Sequence, residues 1–143
     1  MNLPSQPEPF AEKLPARILA VDDNESIRTF YRHFFRMEGL PVEIVGSPHA
    51  ALEKFRATPD DYSLLLTDCE MPAMNGRELA RQMRQVRANL PMVMFSTAVT
   101  VSGPQPFLAA GFQAALPKPV GIEQLRTTLR TVLAVTPPAT TAT

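Results

Sequence analysis

Five residues with ionisable or hydroxyl side chains lie at the ends of the apolar runs in this sequence. Asp22 and Asp23 follow the run Arg-Ile-Leu-Ala-Val, and Asp68 follows a run with three consecutive leucines. Ser96 ends a later apolar run, and Lys118 follows a short alanine-rich one. If these runs are parallel strands, their carboxyl ends share one edge of a sheet, where ligands bind in open α/β folds. We therefore expect three carboxylates, a hydroxyl and an ammonium group to converge at that edge.

Three carboxylates at one edge need a cation between them. Close carboxylates repel one another and raise each other's pKa unless a positive charge lies among them. Oxygen ligands without cysteine or histidine favour a hard ion, and a site with few protein ligands suits Mg2+ better than Ca2+. We expect Mn2+ to substitute. Asp22 and Asp23 are adjacent in the chain and suit the role of metal ligands, one of which could bind through water.

Asp68 is the best placed nucleophile of the three carboxylates. It stands alone at the end of the central apolar run, and a carboxylate can attack phosphorus to give an acyl phosphate. Lys118 would pair with phosphoryl oxygens as a point charge, and Ser96 could donate a hydrogen bond to another oxygen. The spacing of these residues therefore indicates phosphoryl chemistry with a hard divalent metal.

The segments that must position these residues alternate between apolar runs and amphipathic stretches. This alternation predicts repeated βα units and a parallel sheet. The predicted strands are residues 17–21, 42–45, 62–66, 91–95 and 113–116. The predicted helices are residues 25–37, 48–56, 76–88, 107–110 and 122–133. The fourth helix is predicted to be short and irregular, with a loop-rich segment over 97–106, because Gly103, Pro104 and Pro106 interrupt the pattern.

Helical periodicity separates inward from outward side chains in the later helices. The residues predicted to face inward are Leu79, Met83, Val86, Ile122, Leu125, Leu129 and Val132. The arginines of the third helix are predicted to lie mostly on a solvated outer side: Arg77, Arg81, Arg84 and Arg87. Aromatic residues are not interleaved with them, so this row does not indicate a nucleic-acid surface.

Length and composition bound the remaining expectations. The 143 residues suit one domain, which we expect over 16–135 between a proline-rich flexible leader at 1–15 and a flexible tail at 136–143. Lysine plus arginine and aspartate plus glutamate both total 14, which argues against direct nucleic-acid binding. No apolar run approaches the roughly 18 residues of a membrane span, so we expect no membrane insertion. The single cysteine, Cys69, and the absence of a secretion signal predict a cytoplasmic location.

Four separated motifs occur together along the chain. They are V-D-D-N at 21–24, D-C-E-M-P-A-M-N-G at 68–76, Ser96, and K-P at 118–119. In this combination the chain resembles the receiver domains of bacterial response regulators and hybrid sensor kinases over about residues 17–135. The resemblance implies a doubly wound, flavodoxin-like sheet of five parallel strands in the order 2-1-3-4-5, with helices on both faces. It also implies a cis peptide bond before Pro119.

The resemblance implies a signalling phosphoacceptor that catalyses only its own phosphorylation and dephosphorylation, and not a turnover enzyme. Asp68 would accept a phosphoryl group from a histidine of a partner kinase or phosphotransfer domain. The main-chain carbonyl of Glu70 would join Asp22, Asp23 and Asp68 as a Mg2+ ligand. Ser96 would move toward the phosphoryl group and bias the surface around the fourth helix and fifth strand. That surface usually carries the output, and a homodimer through it is left open.

Three positions depart from the family pattern. Ala115 stands three residues before the lysine, where many receivers have tyrosine or phenylalanine, so coupling would use Phe112 or no aromatic residue. Thr97 follows Ser96 where many receivers have alanine, and Thr97 is the alternative hydroxyl if the alignment shifts by one residue. Pro117 precedes the lysine and makes the output face atypical. These departures keep open a pseudo-receiver that acts as a constitutive interaction module.

An aspartate-nucleophile phosphatase is the other alternative, since that class also uses a carboxylate, Mg2+ and lysine. Such enzymes are expected to carry a second aspartate two residues after the nucleophile as the general acid and base. This chain has Glu70 at that position, which disfavours the phosphatase.

Overall fold

The computed structural model describes residues 15–135, in which strands and helices alternate along the chain. Residues 1–14 and 136–143, which hold the predicted tail and all but the last residue of the predicted leader, lie outside the described range. The strands are β1 (Arg17–Val21), β2 (Val42–Val45), β3 (Tyr62–Thr67), β4 (Met92–Ser96) and β5 (Ala114–Pro117). The helices are α1 (Glu25–Glu38), α2 (Pro48–Ala57), α3 (Gly76–Val86), α4 (Thr97–Ser102), α5 (Gln105–Ala109) and α6 (Ile122–Val135), with a short 3-10 helix at Pro59–Asp61. None of the helices in this range has the length and apolar character that crossing a membrane requires.

The strands form one parallel sheet in the order β2-β1-β3-β4-β5, which confirms the predicted fold. β1 lies between β2 and β3, so that Ala20 is paired with Ile44 on one side and with Leu66 on the other. The apolar runs of β3 and β4 are buried almost throughout. Strands of a parallel sheet are covered by helices on both faces, which explains why these runs are continuous and not alternating.

Each face of the sheet has its own apolar core. On one face, aromatic residues of α1, including Tyr31 and Phe35, pack with α6 against Leu64 and Leu66 of β3. On the other face, Leu65 joins the core formed with α2, α3, α4 and α5. The leucines of β3 therefore divide between the two cores, because successive strand side chains point to opposite faces.

Side-chain caps begin the helices that follow the sheet's carboxyl edge. The Asn24 side chain accepts a hydrogen bond from the Ile27 amide at 3.0 Å and begins α1. Asn75 accepts from the Glu78 amide at 2.8 Å and begins α3. A cap satisfies an amide that the first helical turn leaves unpaired. These caps define where α1 and α3 start, directly after the loops that carry the acidic residues.

The prediction of a loop-rich segment over 97–106 is wrong in part, because α4 occupies the first six residues of that segment. The glycine and the prolines that suggested a loop lie at helix ends. Gly103 ends α4 with a φ of 78°, and Pro104 and Pro106 lie at the start of α5, where a missing amide hydrogen costs no helical bond. The helical segment between β4 and β5 is nevertheless short and interrupted, as predicted.

Two of the predicted inward residues are exposed. Val86 is 43% exposed and Ile122 is 50% exposed, whereas the other five inward predictions are buried. Val86 is the last residue of α3 and Ile122 the first of α6. The periodic pattern is correct within both helices, but the apolar side chain at the terminal residue of each is left uncovered.

The predicted outer position is wrong for Arg84 and Arg87. Arg87 is 8% exposed and donates hydrogen bonds to the carbonyls of Pro59 and Tyr62. Arg84 is half-buried and donates to the Leu90 carbonyl. Carbonyls at the ends of elements and in loops need donors, and the long arginine side chain can supply several from one position.

Candidate functional site

The ends of β1 and β3 bring three carboxylates together. One carboxylate oxygen from each of Asp22, Asp23 and Asp68 lies within 4.8 Å of the other two. The strands are neighbours, and Val21 pairs with Thr67 immediately before the acidic residues. The cluster contains only oxygen donors, which fit a hard divalent ion such as Mg2+.

Lys118 adds an ammonium group to this cluster. Its Nζ lies 2.5 Å from Asp22 Oδ2 and 3.5 Å from Asp68 Oδ2. The chain places it there because Pro117 pairs with Ser96 across β4 and β5, and the Lys118 amide donates to the Ser96 carbonyl at 3.3 Å. Three carboxylates and one ammonium leave two negative charges in excess, which a divalent cation would balance.

Asp22 is the most deeply buried member of the cluster, with no exposed surface. Burial raises the pKa of Asp22. The ammonium of Lys118 and the Asn24 amide, which donates to Asp22 Oδ1 at 2.9 Å, oppose this rise, and the negative charge of Asp68 adds to it. A buried carboxylate under these opposing influences is well suited to bind a cation, because a cation would favour its ionised form.

Asp68 is held by the loop that follows β3. Its Oδ1 accepts a hydrogen bond from the Cys69 amide at 2.7 Å, while Oδ2 faces Lys118. Its side chain is 13% exposed, so solvent reaches it and does not reach Asp22. Glu70, two residues further, is exposed, and its main-chain carbonyl accepts no hydrogen bond from any residue in 15–135. That carbonyl oxygen is therefore free to act as a ligand.

Gly76 allows α3 to begin directly against the Asp68 main chain. A Cβ atom at this position would lie 2.0 Å from the Asp68 carbonyl oxygen, far inside contact distance. The Gly76 amide also donates to the Cys69 carbonyl at 2.7 Å. Within the same loop Ala73 has a φ of 75°, which glycine adopts more readily than alanine. The loop conformation beside Asp68 therefore depends on backbone constraints as well as on side chains.

Ser96 is the last residue of β4 and caps α4. Its Oγ accepts from the Ala98 amide at 3.1 Å, and the residue is 1% exposed. The Ser96 hydroxyl donates to no residue in the described part of the chain, so its hydrogen is available to another acceptor. Thr97, the alternative hydroxyl, is exposed as the first residue of α4. We refer to Asp22, Asp23, Asp68, Ser96 and Lys118 together as the carboxyl rim.

Phe95 is a neighbour of the rim that sequence reasoning assigned only to a strand. The Lys118 ammonium lies 5.6 Å from the centroid of its ring, within the range of a cation–π contact. Phe95 is 3% exposed and packs against Tyr31 of α1. The contact follows from the register of β4 and β5, because Phe95 pairs with Leu116 and Lys118 follows two positions later on the same face by strand alternation. The sequence alone does not show that register.

Arg28 of α1 is a second residue that the sequence did not single out. Its Nη1 donates to the main-chain carbonyl of Asp22 at 3.0 Å. A Cβ atom at Gly46 would lie 2.9 Å from the same Nη1, so the guanidinium fills the space between the ends of β1 and β2. We find no sequence pattern that would have predicted this contact.

Comparison with protein families gives the same architecture. The family model described as the response regulator receiver domain matches residues 18–130. The response regulator MprA of Mycobacterium leprae is 36% identical over 123 residues, which are 85% of this chain and 53% of that protein. MprA of Mycolicibacterium vanbaalenii is 33% identical over 125 residues, covering 87% of this chain and 53% of its own length. The chain therefore spans about half the length of these regulators.

Solved structures agree with the sequence relatives. The chemotaxis protein CheY4 of Vibrio cholerae has a TM-score of 0.72 and 30% identity, covering 83% of this chain and 99% of that one. A CheY-like receiver domain from Methanospirillum hungatei has a TM-score of 0.75 and 27% identity, covering 85% and 95%. The sheet order and the acidic cluster agree with these likenesses. Because the family model covers most of the sequence, the chain belongs to the response regulator receiver domain family.

Proposed function

We propose that the chain is a phosphoacceptor that takes a phosphoryl group on Asp68 from a phosphohistidine of a histidine kinase or phosphotransfer domain. The observation that carries the proposal is the position of the Asp68 carboxylate, which is reachable from solvent and lies beside two further carboxylates and the Lys118 ammonium. Few arrangements other than phosphoryl transfer need a nucleophilic carboxylate, a metal-binding cluster and a cation together. The proposal assumes the cytoplasmic location that the sequence predicts.

In the proposed transfer an Asp68 carboxylate oxygen attacks phosphorus as the phosphorus–nitrogen bond to histidine breaks. The histidine nitrogen leaves with the electron pair of that bond and takes up a proton from solvent to give a neutral imidazole. The hydrogen bond from the Cys69 amide holds Oδ1 of Asp68, so Oδ2, which faces Lys118, is the attacking atom. Lys118 stabilises negative charge on the phosphoryl oxygens, and the Ser96 hydroxyl hydrogen is available to one of them.

The residues of the rim fit a bound Mg2+ ion. Asp22, Asp23 and Asp68 would hold it together with the main-chain carbonyl of Glu70, and Mn2+ would substitute. When bound, the ion neutralises charge on the phosphoryl group. Asp22 would contribute a buried oxygen, whereas Asp23 would contribute an exposed one.

We place the output on the surface formed by α4 and β5. Ser96 connects the rim to this surface, because the same hydroxyl that would contact the phosphoryl group caps the first turn of α4. Ala115 of β5 is half-buried and carries no aromatic ring, while Phe112 is buried against Phe107. Val101 of α4 is 89% exposed and offers apolar area for a partner or for a second copy of the chain.

Labelling with acetyl phosphate tests the proposal. The parent chain should incorporate one phosphoryl group only when Mg2+ or Mn2+ is present, and Asp68→Asn should incorporate none. Asp60→Asn, an exposed aspartate in the 3-10 helix, is the matched control and should label normally. Equal labelling of Asp68→Asn would contradict the assignment of the acceptor.

Binding of beryllofluoride with Mg2+ separates the proposal from its alternatives. A phosphoacceptor should bind it stoichiometrically, since the complex mimics an acyl phosphate. Absence of both labelling and beryllofluoride binding would favour the pseudo-receiver. Sustained hydrolysis of small phosphomonoesters over many turnovers would favour the phosphatase instead.

A further inference from the structure

A groove of about 510 Å³ lies between α3 and the segment that leads from α5 into β5. Its apolar lining includes Ala80, Met92 and Phe112, and its charged lining includes Arg77 and Arg84. We call it the α3 groove. No residue of the carboxyl rim lines it. Its volume is in the range of sites that bind small ligands or short segments of other proteins.

Arg77 stands in this groove with its charge uncompensated. Its guanidinium makes no ion pair and no hydrogen bond with any residue in 15–135, and its carbon lies 5.7 Å from the centroid of the Phe107 ring. A cation–π contact orients a guanidinium without neutralising it. Arg77 therefore offers a positioned positive charge with hydrogen-bond donors free.

Arg84 is held by neutral partners only. Its Nε and Nη2 donate to the Leu90 carbonyl at 3.1 and 2.9 Å, and Nη2 also reaches the Gly111 carbonyl at 3.0 Å. Its Nη1 has no acceptor among the described residues. Burial lowers the pKa of Arg84, because a charge without a counterion is costly away from water. An anion in the groove would offset that cost.

The remaining charges of the groove cancel each other. Arg81 donates to Glu78 at 3.0 and 2.6 Å, and Gln82 donates to the same carboxylate. Three arginines and one glutamate thus leave two positive charges on the groove, namely Arg77 and Arg84. The whole chain has no net charge, so this is a local excess. This positive excess favours binding of an anionic ligand.

We propose that the α3 groove binds an acidic segment of a partner protein, with an apolar side chain on the groove floor and carboxylates toward Arg77 and Arg84. The two arginines are seven positions apart on α3, about 10 Å at 1.5 Å per residue. An extended segment covers that distance in about three residue steps, so two acidic residues three positions apart, with an apolar residue between them, match the groove. A nucleic acid is a poor match, because its binding needs a row of cations along a backbone and the floor here is apolar.

A synthetic acidic peptide with two aspartates three positions apart and one tryptophan between them tests this proposal. The chain contains no tryptophan, so the emission of the peptide reports binding directly. The full, unphosphorylated chain should give a saturable change that weakens with added salt, and amide signals of Arg77 and Phe112 should shift in NMR spectra. The test uses no phosphoryl transfer, and therefore its outcome is independent of the proposed phosphoacceptor function.

Variants and a matched peptide identify the groove as the site. Arg77→Gln should weaken binding about fivefold, the size of one exposed ion pair. Arg36→Gln, an exposed α1 arginine that is also without a side-chain partner in the described residues, should bind like the parent. A peptide with asparagine in place of each aspartate should bind more weakly still. A melting temperature equal to that of the parent will show that each arginine variant is folded.

Several results would overturn the proposal. Absence of saturation at millimolar peptide, equal affinity for the asparagine peptide, or equal effects of the two arginine variants would each do so. Displacement of the peptide by citrate at equal concentration would assign the groove to a small anion. Concentration-dependent dimerisation in sedimentation that Arg77→Gln abolishes would assign it to a second copy of the chain.

Discussion

The carboxyl rim and the α3 groove both contain ion pairs, but the two pairs differ in burial and therefore in how much their loss would affect stability. At the rim Lys118 and Asp22 are separated by 2.5 Å, with their side chains 13% and 0% exposed. On α3 the Arg81–Glu78 pair is separated by 2.6 Å, with side chains 59% and 38% exposed. Water screens the second pair, whereas removal of one partner at the rim leaves a charge that water cannot reach. Burial, and not contact distance, therefore decides how much each pair matters.

The largest effect on stability should follow Lys118→Met. Loss of the ammonium leaves buried Asp22 without its cation, which should lower the free energy of unfolding by roughly 3 kcal/mol at neutral pH. Guanidinium unfolding without divalent metal measures the change. Lys54→Met is the control, because the Lys54 ammonium is 3.1 Å from Glu43 but the lysine side chain is 48% exposed. Equal losses in the two variants would break the comparison between buried and exposed pairs.

Gly76→Ala should have the next largest effect, because it acts where α3 meets the rim. The added Cβ would lie 2.0 Å from the Asp68 carbonyl, so α3 or the loop must shift. We expect a loss of about 2 kcal/mol and slower phosphorylation of Asp68. In Gly121→Ala no atom lies within 4 Å of the added Cβ, so its free energy of unfolding should be within about 0.5 kcal/mol of the parent value. A normal melting temperature for Gly76→Ala would contradict the close approach.

Phe95→Leu should separate packing from electrostatics at the rim. It removes the ring beside Lys118, so acetyl phosphate labelling should slow about fivefold, the effect of one cation–π contact. Phe34→Leu is the matched control, because Phe34 is equally buried in the same core and packs on Phe30 and Phe35. Both variants should lose about 1 kcal/mol of stability. Equal labelling rates in the two variants would show that Phe95 does not contribute to phosphorylation of Asp68.

Ala73→Gly should stabilise the loop beside Asp68 by about 1 kcal/mol, because glycine adopts the φ of 75° without steric cost. The gain is smaller than the losses expected for Lys118→Met and Gly76→Ala, since one residue is relieved and no charge or packing changes. Urea unfolding measures it. Ala57→Gly at the end of α2 should have the opposite sign, because an alanine in a helix is favourable. A loss of stability in Ala73→Gly would show that the alanine methyl makes contacts that matter.

The smallest effect should follow Arg81→Gln on the exposed side of α3. The hydrogen bond from Arg81, then that from Gln82, lowers the pKa of Glu78 to about 2. A depressed pKa adds stability above the unfolded value of about 4.3, and that contribution disappears as the pH falls toward the folded value. In Arg81→Gln the pKa of Glu78 should rise toward its ordinary value, as carboxyl NMR titration would show. Stability at neutral pH should change little, because water screens this pair.

The strands and the grouping of the rim side chains could be predicted from the sequence because both depend on local signals. Continuous apolar runs such as the leucines of β3 indicate doubly covered strands, and the residues at their ends share one edge by geometry alone. Asp22, Asp68 and Lys118 could therefore be grouped although 96 positions separate the first from the last. The order of the strands came from the resemblance, since no local pattern states which strands are neighbours.

Other features required contacts that local patterns do not show. The sequence between β4 and β5 reads as a loop because it contains Gly103 and two prolines, but these residues end one helix and begin the next. The arginines in α3 and directly after it look alike in sequence, yet Arg84 and Arg87 turn inward to carbonyls that distant segments bring near. Periodicity describes a residue's own helix and carries no information about unpaired groups elsewhere.

The sequence by itself determined which chemical groups stand at the sheet edge, because strand ends and side-chain types are written residue by residue. Only the tertiary structure decided how those groups act on one another. Asp22 is fully buried while adjacent Asp23 is exposed, and Lys118 meets both Asp22 and the Phe95 ring. Burial and long-range contacts determine how strongly two charges interact, and both arise only when segments far apart in the chain pack together.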